Sequence, residues 1–110
     1  MRYPKEVTIA KKSLSERKAE EIAVVDVRTQ TPFCDYLVIG SATNQRMLNA
    51  LAEYLVSDFA KDGLDVKVEG LPESEWMIVD AGNVVVHLFS EAKRKEIDLE
   101  GLLSHRAERK

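Results

Sequence analysis

Met47, Leu48, Leu51, Ala52, Leu55, Val56 and Phe59 recur at helical spacing and form one broad apolar stripe. Thr43 or Asn44 can cap the start of this helix, and Gly63 can stop it in a left-handed conformation. Upstream, Tyr36-Leu37-Val38-Ile39-Gly40 is almost continuously apolar, as expected of a strand covered on both faces. Downstream, Leu64, Val66 and Val68 alternate with Asp65, Lys67 and Glu69, the pattern of a strand wet on one side. A strand, a helix of about 18 residues and a second strand make a crossover unit. Strands 36–40 and 64–69 are therefore predicted to run parallel.

The remaining segments attach to this unit. Residues 4–22 read as a poorly patterned helix, with Pro4 in its first turn. Ala23-Val24-Val25-Asp26-Val27 reads as a short, mostly buried strand, ended by Thr29-Gln30-Thr31-Pro32. Trp76 to Asp80 and Val84 to Phe89 are two more strands, separated only by Ala81-Gly82-Asn83. So short a connection requires an antiparallel hairpin. A closing helix runs from about Glu91 to Arg106, with Ile97, Leu99, Leu102 and Leu103 as its apolar positions. The sum is an α/β fold: one domain over residues 1–110, a mixed five-stranded sheet with helices packed on it.

Register decides which hairpin residues share a face, because a slip of one flips every side chain. A two-residue loop, Ala81-Gly82 or Gly82-Asn83, groups Trp76, Ile78 and Asp80 with Val85, His87 and Phe89. Met77, Val79, Val84, Val86 and Leu88 then make the opposite face, which is entirely apolar. A three-residue loop would set Asp80 and His87 on opposite faces among core residues, at on the order of 1–3 kcal/mol for each group left without a partner. The two-residue loop is preferred for that reason. The mixed face it creates has two readings: helices cover it, with His87 hydrogen-bonded internally and Trp76 as packing, or it is a docking patch anchored by Trp76. Pattern alone leaves them level.

Charge and chemistry narrow the function classes. The net charge is -3, so no basic surplus exists to neutralise many phosphates, and little direct nucleic-acid binding is expected. Lys11-Lys12, Lys93-Arg94-Lys95 and Arg106 to Lys110 read as solvated runs. No apolar stretch approaches the roughly 20 residues that span a bilayer, no signal-peptide core follows Met1 to Glu6, and the expected location is the cytoplasm. Cys34 is the single cysteine, with no neighbouring cation or histidine to activate it, and it reads as a small hydrophobe. His87 and His105 stand at no metal-ligand spacing, the serines lie in no nucleophile context, and no phosphate-cradling glycine loop is present, so neither metal nor cofactor is expected. Gly40-Ser41 before a helix hints at nucleotidyltransferases, but residues 42–54 contain only Glu53 in place of a metal-holding carboxylate pair. Gly40-Ser41 is more simply a turn into the helix. Asp26, Asp35 and Asp80 are free to converge at strand ends, though nothing in the sequence requires it.

Several stretches taken together resemble the ribosomal silencing factor (Iojap-like) family. They are Lys18-Ala19-Glu20-Glu21-Ile22 with Val25-Asp26-Val27, then Asp35-Tyr36-Leu37-Val38-Ile39-Gly40, then Val68-Glu69-Gly70. The run from Trp76 through Asp80-Ala81-Gly82-Asn83 to Phe89 follows, and Arg94 with Asp98-Leu99-Glu100 and Leu102 closes the set. The resemblance is colinear from about residue 14 to residue 103. It departs from the family at Asn83, usually acidic, at Ile97, usually tyrosine, at Leu103, usually tryptophan, and at Asn44-Gln45-Arg46-Met47. It implies a non-enzymatic fold related to nucleotidyltransferases but without their catalytic carboxylates. It further implies binding to the fourteenth protein of the large ribosomal subunit, steric blocking of subunit joining, repression of translation, and a possible homodimer; organellar relatives act in large-subunit biogenesis. On that reading Trp76 is the apolar anchor, Glu69, Asp80 and Glu73 meet basic residues of the partner, and His87 and Asn83 add polar contacts.

Overall fold

The computed structural model describes residues 3–108, so Arg109 and Lys110 of the terminal basic run lie outside the described residues, as do the side chains from Ser104 onward. The element order is α1 (Lys5–Glu16), β1 (Glu20–Asp26), β2 (Tyr36–Ala42), α2 (Gln45–Lys61), β3 (Lys67–Glu69), β4 (Trp76–Asp80), β5 (Val84–Ser90), α3 (Glu91–Ile97) and α4 (Leu99–Glu108). The strands form one mixed sheet in the order β1-β2-β5-β4-β3. β2 pairs parallel with β5, while β1–β2, β4–β5 and β3–β4 pair antiparallel. β2 and β3 therefore point the same way, as the crossover requires, but β5 and β4 lie between them.

α1 and α2 pack on one face of the sheet. Val7, Ala10 and Leu14 of α1 and Leu48, Leu51, Leu55 and Phe59 of α2 meet Val38, Met77, Val79, Val84, Val86 and Leu88, all buried. Every residue of β2 is buried, which is why its sequence carries no polar alternation. α2 starts where Asn44 accepts a hydrogen bond from the Met47 N–H at 2.8 Å. It ends in a Schellman motif: Gly63, at φ +80°, donates to the Ala60 carbonyl and Leu64 donates to that of Phe59.

Four expectations are corrected. The first helix stops at Glu16 and not at residue 22, because Lys18 takes the left-handed cap position at φ +61° and Ala19 N–H reaches back to the Leu14 carbonyl. This is the same motif that ends α2, with lysine in the glycine position, so no glycine marked it in the sequence. Pro4 is the N-cap of that helix and not a residue of its first turn. The strand expected over 64–69 is only Lys67–Glu69, with Leu64 and Val66 packed on the core from an irregular segment. The closing helix is two helices, broken at Asp98, which is left-handed at φ 48° and ψ 51°.

Gly40 and Ser41 are a further revision, since both lie inside β2 and not in a turn. Nor is Arg94 part of a solvated run. Only 8% exposed, it donates to the Ser41 hydroxyl at 2.8 Å and grips the Glu100 carboxylate at 2.9 and 2.8 Å. α3 and α4 are thereby pinned to the sheet face opposite α1 and α2, where Ile97, Leu99 and Leu103 pack near Val27, Cys34, Leu37, Ile39 and Phe89.

Candidate docking surface

The hairpin has the two-residue loop Gly82-Asn83. Trp76 pairs with Phe89, Ile78 with His87 and Asp80 with Val85. Gly82 at φ +91° supplies the positive backbone angle that a II′ hairpin turn places at its first central residue. Trp76, Ile78, Asp80, Val85, His87 and Phe89 therefore share one face, as the register argument requires. Pairing extends this face onto the edge strand, where Glu69 lies opposite Ile78 and Lys67 opposite Asp80.

The two readings of that face divide it between them. α3 contacts β2 and β5, and α4 contributes Leu99 and Leu103, so the β1–β2–β5 half is packed. No contact of α3 with β4 or β3 stands among the substantial ones in the described residues, and the β4–β3 half is open. Trp76 sits at the boundary, half-buried and packed against the edge of that second core.

Trp76 is held by two neighbours. Its indole N–H donates to Nδ1 of His87 at 3.0 Å, and its ring lies 5.1 Å from that of Phe89 at an interplanar angle of 32°. His87 in turn stacks on Phe89, 6.2 Å between centroids and 14° between planes. An indole N–H only donates, so His87 Nδ1 carries the lone pair and its proton resides on Nε2. Burial pushes the His87 pKa down to about 4, so the ring is neutral around pH 7.

The other expected site residues divide by position. Glu69 and Asp80 stand on the open half with Trp76 and His87. Glu69 is exposed, while Asp80 is half-buried and accepts from the Gly82 N–H at 2.8 Å, so it also shapes the turn. Glu73 does not belong to this face. It is exposed on the loop before β4, and that loop is tied to α2 by Gln45 and Asn49, which donate to the Pro72 carbonyl at 2.7 and 2.8 Å. Asn83 lies in the turn, where its carbonyl accepts from the N–H groups of Asp35 and Tyr36 at 2.7 and 3.2 Å. Lys67 and Ile78 complete the open half. Neither was singled out from sequence, although the two-residue register already placed Ile78 there.

Cys34 is buried beneath this end of the sheet, and burial followed by the nearby Asp35 and Asp80 charges pushes its thiol pKa up. It behaves as the small hydrophobe expected of it. The Ser41 hydroxyl is buried and engaged by Arg94. The open half thus presents an apolar centre of Trp76 and Ile78 among Glu69, Asp80 and Lys67, an arrangement suited to binding a macromolecular surface.

A family model described as ribosomal silencing factor during starvation matches residues 1–110. The chain is 36% identical over 89 residues to the ribosomal silencing factor of Zymomonas mobilis, covering 80% of this chain and 67% of that one. It is 32% identical over 95 residues to the ribosomal silencing factor of Bacillus subtilis, covering 86% and 80%. It is also 35% identical over 98 residues to a mouse protein named mitochondrial assembly of ribosomal large subunit protein 1. That match covers 86% of this chain and less than half, 43%, of the mouse protein. A crystal structure of a Chromobacterium violaceum protein superposes with a TM-score of 0.88 at 30% identity, covering 94% of this chain and 88% of that one. These relatives are named as regulatory or assembly factors and not as enzymes. The five-stranded fold, the ordered motifs and the full-length match agree, and the chain belongs to the ribosomal silencing factor family.

Proposed function

We propose that this protein docks through the open β4–β3 half of its sheet onto the fourteenth protein of the large ribosomal subunit. By occupying that position it sterically blocks joining of the small subunit and represses translation. The observation that carries this reading is the juxtaposition of a half-buried Trp76 and Ile78 with Glu69 and Asp80 on one uncovered sheet face. An apolar anchor flanked by Glu69 and Asp80 suits a basic ribosomal protein, because complementary potential speeds encounter and an aromatic buried on docking supplies contact energy. Occlusion requires no bond-making, so no enzymatic step is assigned to the chain, and its place of action is the cytoplasm.

The test is sedimentation of purified subunits through sucrose at association-permitting magnesium, with and without the protein. Co-migration with the large subunit and loss of the joined peak support silencing. Failure to co-migrate overturns the reading. Trp76→Ala in a folded protein is expected to weaken co-migration, and unchanged binding would remove Trp76 as the anchor.

A second reading is favoured by the mouse relative, whose name is that of a large-subunit assembly protein. Under it, the same face escorts a maturing large subunit. The protein would then co-sediment with precursor particles and leave joining of mature subunits unaffected.

A further inference from the structure

Resting on the docking reading above, we propose that His87 is a positioning residue for Trp76: it orients the indole on the open half of the sheet and acts on the partner through that ring, not by its own contact.

The geometry supports this at three points. Trp76 opens β4, where a side chain has strand neighbours on only one side along its own chain. An indole in that position is free to swing unless something holds it. Here its N–H is fixed to His87 Nδ1 at 3.0 Å and its ring rests against Phe89, itself only 1% exposed. His87 stacks on the same Phe89 ring, so the three rings brace one another across the β4–β5 ladder.

The hydrogen bond also changes what Trp76 offers. The N–H is the indole's only polar group, and His87 satisfies it within the fold. A partner pocket that receives Trp76 therefore desolvates no unpaired donor, and the surface presented is purely apolar. Holding the ring in one orientation before encounter lowers the ordering cost of docking. His87 has already committed Nδ1 to the indole and lies between Ile78 on β4 and Ile39 on β2 in the sheet. Its role follows from that placement.

The inference predicts a specific pattern of affinities for purified large subunits. His87→Phe keeps a ring against Phe89 but loses the acceptor, and is expected to weaken binding about 3- to 10-fold. His87→Asn, whose side-chain oxygen stands near the Nδ1 position, is expected to restore most of it. In a Trp76→Phe background, which has no N–H to orient, His87→Phe is expected to have no further effect. Trp76 is the only tryptophan, so loss of its tether is also expected as faster indole rotation in time-resolved fluorescence anisotropy of His87→Phe. His87→Leu carries the same comparison if the phenylalanine variant does not fold.

An equal loss from His87→Phe in both backgrounds would show direct contact with the partner and overturn the inference. So would wild-type binding by His87→Phe while Trp76→Ala binds weakly. Unchanged binding by Trp76→Ala removes Trp76 as the anchor and overturns this inference, whereas failure of the parent protein to co-migrate with large subunits overturns the docking reading itself.

Discussion

Arg94 and Glu100 face each other across the bend at Asp98, joined by two hydrogen bonds of 2.9 and 2.8 Å that tie α4 to α3. The Arg94 side chain is 9% exposed and that of Glu100 33%, and Arg94 also reaches Ser41 on β2. A planar guanidinium suits this bidentate grip in a way a lysine ammonium does not.

Removing one member of that pair leaves the other charge in a poorly solvated site. Glu100→Ala is expected to destabilise the protein by about 2–3 kcal/mol, below the full cost of a fully buried pair because Glu100 is partly solvated. Arg94→Lys should cost less but still lose the fork. Urea denaturation followed by circular dichroism checks both. A Glu100→Ala protein as stable as the parent would show that the pair does not hold α4 in place.

The His87 ring sets a pH dependence whose sign is fixed. Its pKa is about 4 in the folded protein against an ordinary value near 6.5, so between those values the unfolded chain binds the proton and the folded one does not. Stability from this residue is complete above pH 6.5 and falls as pH drops towards 4, by at most about 3 kcal/mol. Glu20 works in the opposite sense, because hydrogen bonding with Glu91 and their mutual repulsion hold its carboxyl above the ordinary range. Comparing parent with His87→Asn at each pH isolates the histidine. The difference between the two should shrink as pH falls from 7 to 4.5, and a constant difference would refute the assignment.

Lys18 pays a conformational cost at φ +61° in a position that glycine occupies freely. Lys18→Gly is expected to stabilise the protein by about 0.5–1 kcal/mol, after allowing for the added freedom of the unfolded chain. Thermal unfolding at neutral pH reads the change. A lower melting temperature would mean that the lysine side chain contributes more than its backbone strain removes.

Glu69 is exposed at the edge of the open half, so on the docking reading its charge steers encounter more than it holds the complex. Glu69→Gln is expected to slow association with large subunits several-fold at low salt, with little change in dissociation. That difference should vanish as ionic strength rises and the Debye length contracts. Stopped-flow or surface-based kinetics at two salt concentrations distinguish this from a loss carried by dissociation.

Much of the architecture was legible because the relevant signals are local. The α2 stripe, Gly63 and the apolar run of β2 each specify an element through its own periodicity or backbone need. The short connection left a two- or a three-residue loop, and the cost of burying Asp80 and His87 unpaired decided for two, which placed Trp76, Asp80 and His87 on one face. The left-handed residues Lys18 and Asp98 were not legible, since neither is a glycine and each is held by hydrogen bonds formed only once the chain has turned. Glu73 was grouped with Glu69 and Asp80 as an acidic group for a basic partner, whereas Gln45 and Asn49 of α2 hold its loop from the other side of the sheet.

Sequence by itself thus determined α2, β2, the two hairpin strands, the α/β class and which hairpin residues share a side, because periodicity and turn length act within a few residues. Only the tertiary structure decided how that side is used. Arg94 reaching Ser41 and Glu100 lays α3 and α4 over β1, β2 and β5 and stops short of β4 and β3. The indole of Trp76 was assigned its partner in the same way, by a cross-strand neighbour eleven residues away. Coverage and orientation depend on contacts between elements distant in sequence, and no local pattern encodes them.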